Sequence, residues 1–529
     1  MTDICLIFEV HQPLRLNRNF YTDLLGRPEI TKEELFQLYF DDKLNKHVLE
    51  RAARKCYFPS NRILLEQINR FRDEERKFKV AFGISGVFIE QCQRWLPELI
   101  ESFRLLAETG CVEFLNEPYY HSLASLYGMD RSEFVEQVLM HRKLMREMFG
   151  QEPRVFENTE CIYNNAIAKT VESLGYKAII TEGAERILGW RSPNYVYRAK
   201  NCNLKVLMRN YRLSDDIGFR FSSHWWDQWP LFADKYASWL AGTPGQVIVI
   251  FMDYETFGEH HWPESGIHEF LRHLPEEVLK WKHLNWCTPS EAVDKHLPAG
   301  EIDVFEYNTI SWADLERDVS AWIGNPMQNS CYEMLKQLEP LVKGLGDPEY
   351  TRLWRLFQQS DHLYYMSTKG AGPGDVHSYF NPYSSPIEAF VVFSRILSDF
   401  EARILQELKK PELAAKWLLR RLPAGKGFTF FYEFARPTGI TVHSLEEFCQ
   451  ALQRIRLKSI KFHLERGDFE RWLSQVIGDE KLAEDFRQLS RQKFKGKVLR
   501  ERIVSLVKAR IDELKTAAKS AAKSRENSK

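Results

Sequence analysis

The stretch Val247 to Trp262, VIVIFMDYETFGEHHW, holds the strongest chemical signal in the chain: an apolar run stops at an acid and passes into aromatic and histidine residues. Val247 to Met252 is too short for an ordinary helix and too unbroken for a half-solvated strand, so it reads as a strand buried on both faces, with Asp253 at its C-terminal lip. Glu160 occupies a comparable place after the short apolar run at Val155 and Phe156. Cleaving an acetal needs a proton for the leaving oxygen and a nucleophile or activated water at the anomeric carbon, and two carboxyl groups with separated pKa values supply both. Buried acids at strand ends also serve as helix caps and ion-pair partners, so each alone would carry about even weight. Aromatics nearby, Phe257, Trp262, Trp225, Trp226 and Trp229, suit the apolar faces of sugar rings, while His11, His121 and His260 suit their hydroxyls.

The elements needed to hold these residues can be read along the first 295 positions. Apolar runs at Ile4 to Val10, Phe78 to Ile84, Cys111 to Leu115, Arg154 to Asn158, Lys177 to Thr181, Leu204 to Arg209 and Gln246 to Met252 alternate with longer amphipathic stretches. Seven strands with helices between them describe an α/β barrel, whose chemistry gathers at the C-terminal strand ends.

Seven blocks together resemble glycoside hydrolase family 57 in its α-amylase-like branch. They are HQP at His11 to Pro13, VEFLNEPYYHSL at Val112 to Leu123, FENTECIYNN at Phe156 to Asn165, LSDDIGFRFS from Leu213, FMDYETFGEHHW at Phe251 to Trp262, SWADLERDVSAWIGN at Ser311 to Asn325, and SDHLYYMSTKG from Ser360. The resemblance implies an incomplete (β/α)7 barrel over residues 1–300, a helical bundle over 301–410 that completes the cleft, and a C-terminal helical domain of unknown role over 411–514; the alternating Ala, Lys and Ser of the last residues predict a frayed or disordered tail at 515–529. It implies Glu160 as a retaining nucleophile and Asp253 as general acid/base, with His11, His121, Asp216, Trp225, His260, Trp312 and Asp361 as substrate-binding residues. The substrate it implies is an α-1,4-glucan such as starch, glycogen or maltodextrin. Transfer to a sugar hydroxyl, as in a 4-α-glucanotransferase, or a non-catalytic glucan-binding regulatory role are the alternatives. Glu255, two residues beyond Asp253, is expected to begin the following loop.

Composition excludes several classes. With 73 basic and 73 acidic side chains the chain has no net charge, which argues against nucleic acid or an anionic membrane as partner and fits an uncharged polymer. No stretch approaches about 18 apolar residues and the N-terminus lacks a secretory pattern, so a cytoplasmic protein that does not enter the membrane is expected. Nine scattered cysteines without CxxC spacing are expected to be reduced and mostly buried. His-x3-His spacing is absent, so no metal or other cofactor is expected, although a zinc deacetylase-like site remains the competing metal chemistry.

Beyond the barrel, the apolar spacing of Trp312, Leu315, Val319 and Trp322 predicts a helix through WADLERDVSAW, in which Trp312 faces either substrate or core. The glycine-rich turn Lys369 to Tyr383 lacks P-loop spacing and reads as a rim loop. In the C-terminal part, Ser444 with Glu447 predicts a capping box, and Asp479 after Gly478 predicts a helix start.

Overall fold

The computed structural model describes residues 1–526 except 28, 129, 370–380, 423–424, 493 and 495, with the backbone alone for 520–526; most of the expected rim loop lies outside the described residues. They divide into two compact units, residues 1–336 with 352–397, and residues 337–351 with 398–529.

The first unit is built on seven parallel strands that coincide with the seven apolar runs. They are β1 (Thr2–Val10), β2 (Val80–Ile84), β3 (Val112–Phe114), β4 (Val155–Glu157), β5 (Ala178–Glu182), β7 (Lys205–Arg209) and β8 (Val247–Asp253). Strand β1 pairs with β8 on one side and β2 on the other, β2 pairs with β3, and β4, β5 and β7 follow in parallel. Two thin seams close the ring. At the first, Asn116 donates its backbone N–H to Val155 at 3.1 Å and accepts from Glu157 at 2.8 Å; at the second, Arg209 alone is in register with Val249. This thinness is what makes the (β/α)7 barrel incomplete. Three further strands escaped the sequence reading: β6 (Tyr197–Ala199), antiparallel to β7, β9 (Leu284–Trp286), beside the start of β1, and β10 (Glu301–Ile302), beside β6. None exceeds three residues, too few for a period to show.

Side chains alternate between faces along each strand. Ile4, Leu6, Phe8 and Val10 of β1 join the apolar layer shared with the surrounding helices, while Cys5 and Ile7 join Ala81, Leu115, Val155, Ala178, Ile180, Leu207, Val249 and Phe251 inside the barrel. Continuing the inward parity by two residues at each C-terminal end gives Glu9, Gly83, Glu117, Glu157, Glu182, Arg209 and Asp253. Glu9 is in register with both Gly83 and Asp253. The barrel is therefore apolar through its depth and carries charge at one mouth.

The predicted helix through WADLERDVSAW is corrected. Only Ser320–Ile323 is helical there, and Asp314 and Arg317 have φ of 55° and 48°, outside the helical region. The apolar period arises because Trp312 and Trp322 are taken up by separate surroundings, not by one helix face.

The second unit is not wholly helical, as the sequence had suggested. Strands β11 (Phe428–Glu433) and β12 (Arg436–Val442) form an antiparallel hairpin whose register shifts twice. Phe428 and Phe430 face a core with Phe448, Phe469, Trp472, Phe486 and Ile503. The hairpin was missed because aromatic residues occupy both faces of FTFFYEF, which blurs the alternation. Ser444 caps its helix by accepting from the Glu447 N–H at 3.1 Å, although Glu447 bonds His443 rather than closing the box on Ser444. Asp479 caps the next helix through Leu482 at 3.0 Å, after Gly478 at φ 89° ends the preceding turn. The last helix, Gly496–Glu526, extends into the expected tail. All nine cysteines are free thiols and eight are buried. Among the described residues no helix is long and apolar enough to cross a membrane.

Candidate active site

At the charged mouth two adjoining hollows of about 100 and 50 Å³ share Glu160, Asp253, His260 and Trp312 as walls. The larger is also lined by Arg209, Asp215, Phe219, Asp314, Arg317 and Tyr364; the smaller by Glu9, His11, His121, Glu255 and Asp361. Polar groups thus converge in a concave site with apolar patches, the usual form of a small-molecule site.

Glu160 follows β4 by three residues in a tight turn, Thr159–Cys161, where it adopts φ 58° and ψ 27°. A non-glycine residue in the left-handed region costs about 1–3 kcal/mol and persists only where the surroundings demand it. Those surroundings are visible. The Trp312 indole N–H donates to Glu160 Oε2 at 2.6 Å, the Ser360 hydroxyl donates to Oε1 at 3.1 Å, and the Trp312 backbone N–H donates to the Glu160 carbonyl at 3.2 Å. Only 7% of Glu160 is exposed. A strained backbone, held at its carbonyl by one donor and at its carboxyl by two, aims the Glu160 side chain.

Asp253 is reached by simpler means. It is the last residue of β8, placed inward by strand parity, and is partly exposed to the hollow. Glu255 does lie in the short turn Tyr254–Thr256 that follows, yet it is buried and lines the smaller hollow. It accepts from the Tyr57 hydroxyl and, at 3.2 Å, from Gln12 Nε2. Burial, helped by the charge of Asp253, pushes its carboxyl up to about 8.

The sequence-predicted binding residues fall into three groups. His260 and Trp312 line both hollows, and His11, His121 and Asp361 line the smaller one. The His11 and His121 rings stack at 4.1 Å; His11 Nε2 lies 3.0 Å from Asp361 Oδ2, and its Nδ1 lies 2.7 Å from the Ser85 hydroxyl. His121 is 3% exposed and looks toward carboxylates: Nδ1 is 3.0 Å from Glu117 and 3.6 Å from Glu9, and Nε2 is 3.6 Å from Glu160. Asp216 and Trp225 are not brought to the site. Within the helix Tyr211–Gly218 successive residues turn by about 100°, so Asp215 reaches the larger hollow while Asp216 pairs with Arg220 at 2.7 Å. Trp225 is 82% exposed and lines neither hollow.

Sequence reading missed Arg209, Asp215, Glu182, Glu117 and Ser360. Arg209 is buried between Glu182 at 3.0 Å and Asp215 at 2.5 Å, and Arg317 approaches the same two acids at 3.8 and 3.9 Å. Burial lifts the Glu182 carboxyl, while the Arg209 and Arg317 charges pull it back. The signal that could have found Glu182, Arg209 and Glu117 was strand parity, since each stands two residues beyond an inward apolar residue.

One grouping among the described residues has ligand-type atoms close enough for a metal, Glu9, Glu117 and His121, within 4.8 Å of one another. In this arrangement His121 Nδ1 lies 3.0 Å from Glu117 Oε2, so the imidazole is itself a partner of these acids.

The family model described as Glycosyl hydrolase family 57 matches residues 5–305, and that of a family of unknown function, DUF5752, matches residues 394–508. A protein of Methanocaldococcus jannaschii named putative alpha-amylase is 50% identical over 413 residues, covering 77% of this chain and 85% of the relative. An alpha-amylase of Pyrococcus horikoshii is 30% identical over 267 residues, which is 48% of this chain and 38% of that longer protein. The crystal structure of a GH57 branching enzyme from Thermococcus kodakaraensis superposes with a TM-score of 0.54 at 14% identity, covering 77% of this chain and 91% of that one, a likeness of fold.

Proposed function

This chain belongs to glycosyl hydrolase family 57, and on that footing we propose that it is a retaining glycoside hydrolase of the α-amylase type, cleaving α-1,4-glucosidic bonds of starch, glycogen or maltodextrins. The observation that carries this reading is the placement of Glu160 and Asp253, from two strand ends of one barrel, as walls of the same two hollows. Glu160 attacks the anomeric carbon while Asp253 protonates the leaving glycosidic oxygen; the C–O bond to the leaving sugar breaks as the Glu160 ester forms. Asp253, now ionised, takes the proton from an incoming water, whose oxygen displaces Glu160 and restores the starting state.

The surroundings suit these roles. Two donors, the Trp312 indole N–H and the Ser360 hydroxyl, fix the Glu160 carboxyl as an acceptor, which favours the ionised form a nucleophile needs. Asp253 lies beside Glu9 in register and near Glu255 in sequence, and neighbouring carboxyls favour a retained proton on an acid catalyst. Phe219, Trp312 and Tyr364 supply ring faces to sugar C–H groups, and His260 and Asp361 supply hydroxyl partners. The protein is expected to act on soluble α-glucan in the cytoplasm without a cofactor.

Incubation with maltoheptaose tests the reading. Glucose and short maltooligosaccharides, with the first anomer released in the α configuration, are the expected products. A ladder of products longer than seven units assigns the same two carboxyls to transfer, with a sugar hydroxyl replacing water. A first product in the β configuration overturns retention.

A further inference from the structure

The inward ring at the barrel mouth carries five acids, Glu9, Glu117, Glu157, Glu182 and Asp253, and one arginine, Arg209. Arg209 is spent on Glu182 and Asp215. On the opposite side the groups that act most on Glu9, Glu157 and His121 are each other, Glu117, Glu160, Asp253 and Cys161, with no arginine or lysine among them. Isolated buried carboxylates are costly, so the balance must come from protons or from a bound cation.

Glu9 and Glu157 approach one another above Gly83. A Cβ at Gly83 would stand 2.4 Å from Glu157 Oε2 and 3.3 Å from Glu9 Oε2, so the missing side chain is the room this pair occupies. Read as two carboxylates, neither has a donor for its oxygens among the described residues. One proton between them pairs an oxygen of each, and two carboxyls in contact do not ionise together. Burial and the neighbouring acids raise both groups, Glu9 to about 8.

His121 faces the resulting negative charge from every element packed on it. Glu9 comes from β1, Glu117 from beyond β3 and Glu160 from beyond β4, while His11, backed by Asp361, covers one ring face. Asp253 and Glu157 act on it through Glu9. Burial works to lower the imidazole pKa, but the hydrogen bonds and charges of Glu117, Glu160 and Glu9 outweigh it and the group is held well above its ordinary value. His121 itself has φ 47°, a second strained residue facing the first.

We infer that His121 is a positioning residue rather than a sugar contact: Glu117 and a proton shared by Glu9 and Glu157 keep it a permanent imidazolium, and its charge, 3.6 Å from Glu160, keeps that carboxylate ionised and aimed. The inference rests on the reading of Glu160 as nucleophile for its catalytic consequence, but not for the charge state itself.

Glu117→Gln tests it, because the amide oxygen still accepts from Nδ1 while the charge is gone. Removing one opposite charge at this distance lowers a pKa by about 1–3 units, so the alkaline limb of kcat/KM should move to lower pH by about one unit or more. The activity deficit should therefore grow about tenfold between roughly pH 6 and pH 8. Glu9→Gln supplies an N–H in place of the shared proton and should shift the limb much less. Selective imidazole ¹⁵N labelling reads the charge directly, even in a protein without detectable glucan activity: the His121 signal should stay in its charged position across that range in the unaltered protein and titrate in Glu117→Gln. An imidazole that titrates at its ordinary pKa in the unaltered protein overturns the inference. So does a Glu117→Gln profile lowered equally at every pH, or one tightly bound divalent metal per chain whose removal by EDTA reproduces the shift.

Discussion

The two sides of the barrel mouth solve one problem in different ways. On the β5–β7 side, Glu182 and Asp215 meet the guanidinium of Arg209, with Arg317 close behind. On the β1–β4 side, Glu9, Glu117 and Glu157 meet a histidine and one another. A guanidinium stays charged at every pH the protein will see, whereas imidazole and shared protons are set by equilibrium. The first side is thus a fixed electrostatic wall, and the second a wall whose charge rests on the acids that hold the His121 imidazolium and on a proton shared between carboxyls. Glu160, the proposed nucleophile, rests against the second.

Substitution of the two carboxyls that both sides serve should have the largest effect. Glu160→Gln and Asp253→Asn should each lower kcat on α-1,4-glucans by about 10³-fold or more with the fold intact by circular dichroism. Retention of a tenth of the activity by either would remove that residue from the mechanism.

Breaking the fixed wall comes next. Arg209→Met leaves Glu182 and Asp215 without their main cation, and losing one partner of a buried pair costs about 3–5 kcal/mol. Denaturant unfolding should show that loss. A wild-type midpoint would mean that Arg317 alone suffices and that the two sides differ less than their geometry implies.

Trp312→Phe keeps the ring beside Phe251 but deletes the N–H bonded to Glu160. A hydrogen bond to a charged group is worth about 1.5–3 kcal/mol, so kcat/KM should fall about 10- to 100-fold. An unchanged value would indicate that Ser360 and the strained backbone fix Glu160 without help.

A further effect concerns pH and stability. Glu255 has a folded pKa of about 8 against an ordinary 4.5. The folded state therefore holds a proton that the unfolded chain has lost, and stability falls as pH rises from about 4.5 to about 8, then levels. Glu9 acts in the same direction. Glu255→Gln should flatten this slope, which thermal melts at several pH values across the window would show. An equally steep slope in the variant would place the titrating group elsewhere.

The seven barrel strands were legible because burial on both faces leaves a continuous apolar run, a local property of sequence. So were Glu160 and Asp253, each where such a run gives way to charge. Alternation even specified that Glu9, Glu157, Glu182 and Arg209 share the inward face, although the runs alone did not draw attention to them. What the chain could not disclose locally was which of these groups meet. Trp312 reaches Glu160 from 152 residues away, through a turn whose apolar period imitated a helix. His121 touches acids from three strand ends, Asp215 rather than its neighbour enters the site because of one helical step, and the second unit's hairpin was hidden by aromatics on both faces. Periodicity follows from the backbone and is written residue by residue. Pairings of charge depend on strand stagger, strained turns and burial, which exist only once the barrel has closed.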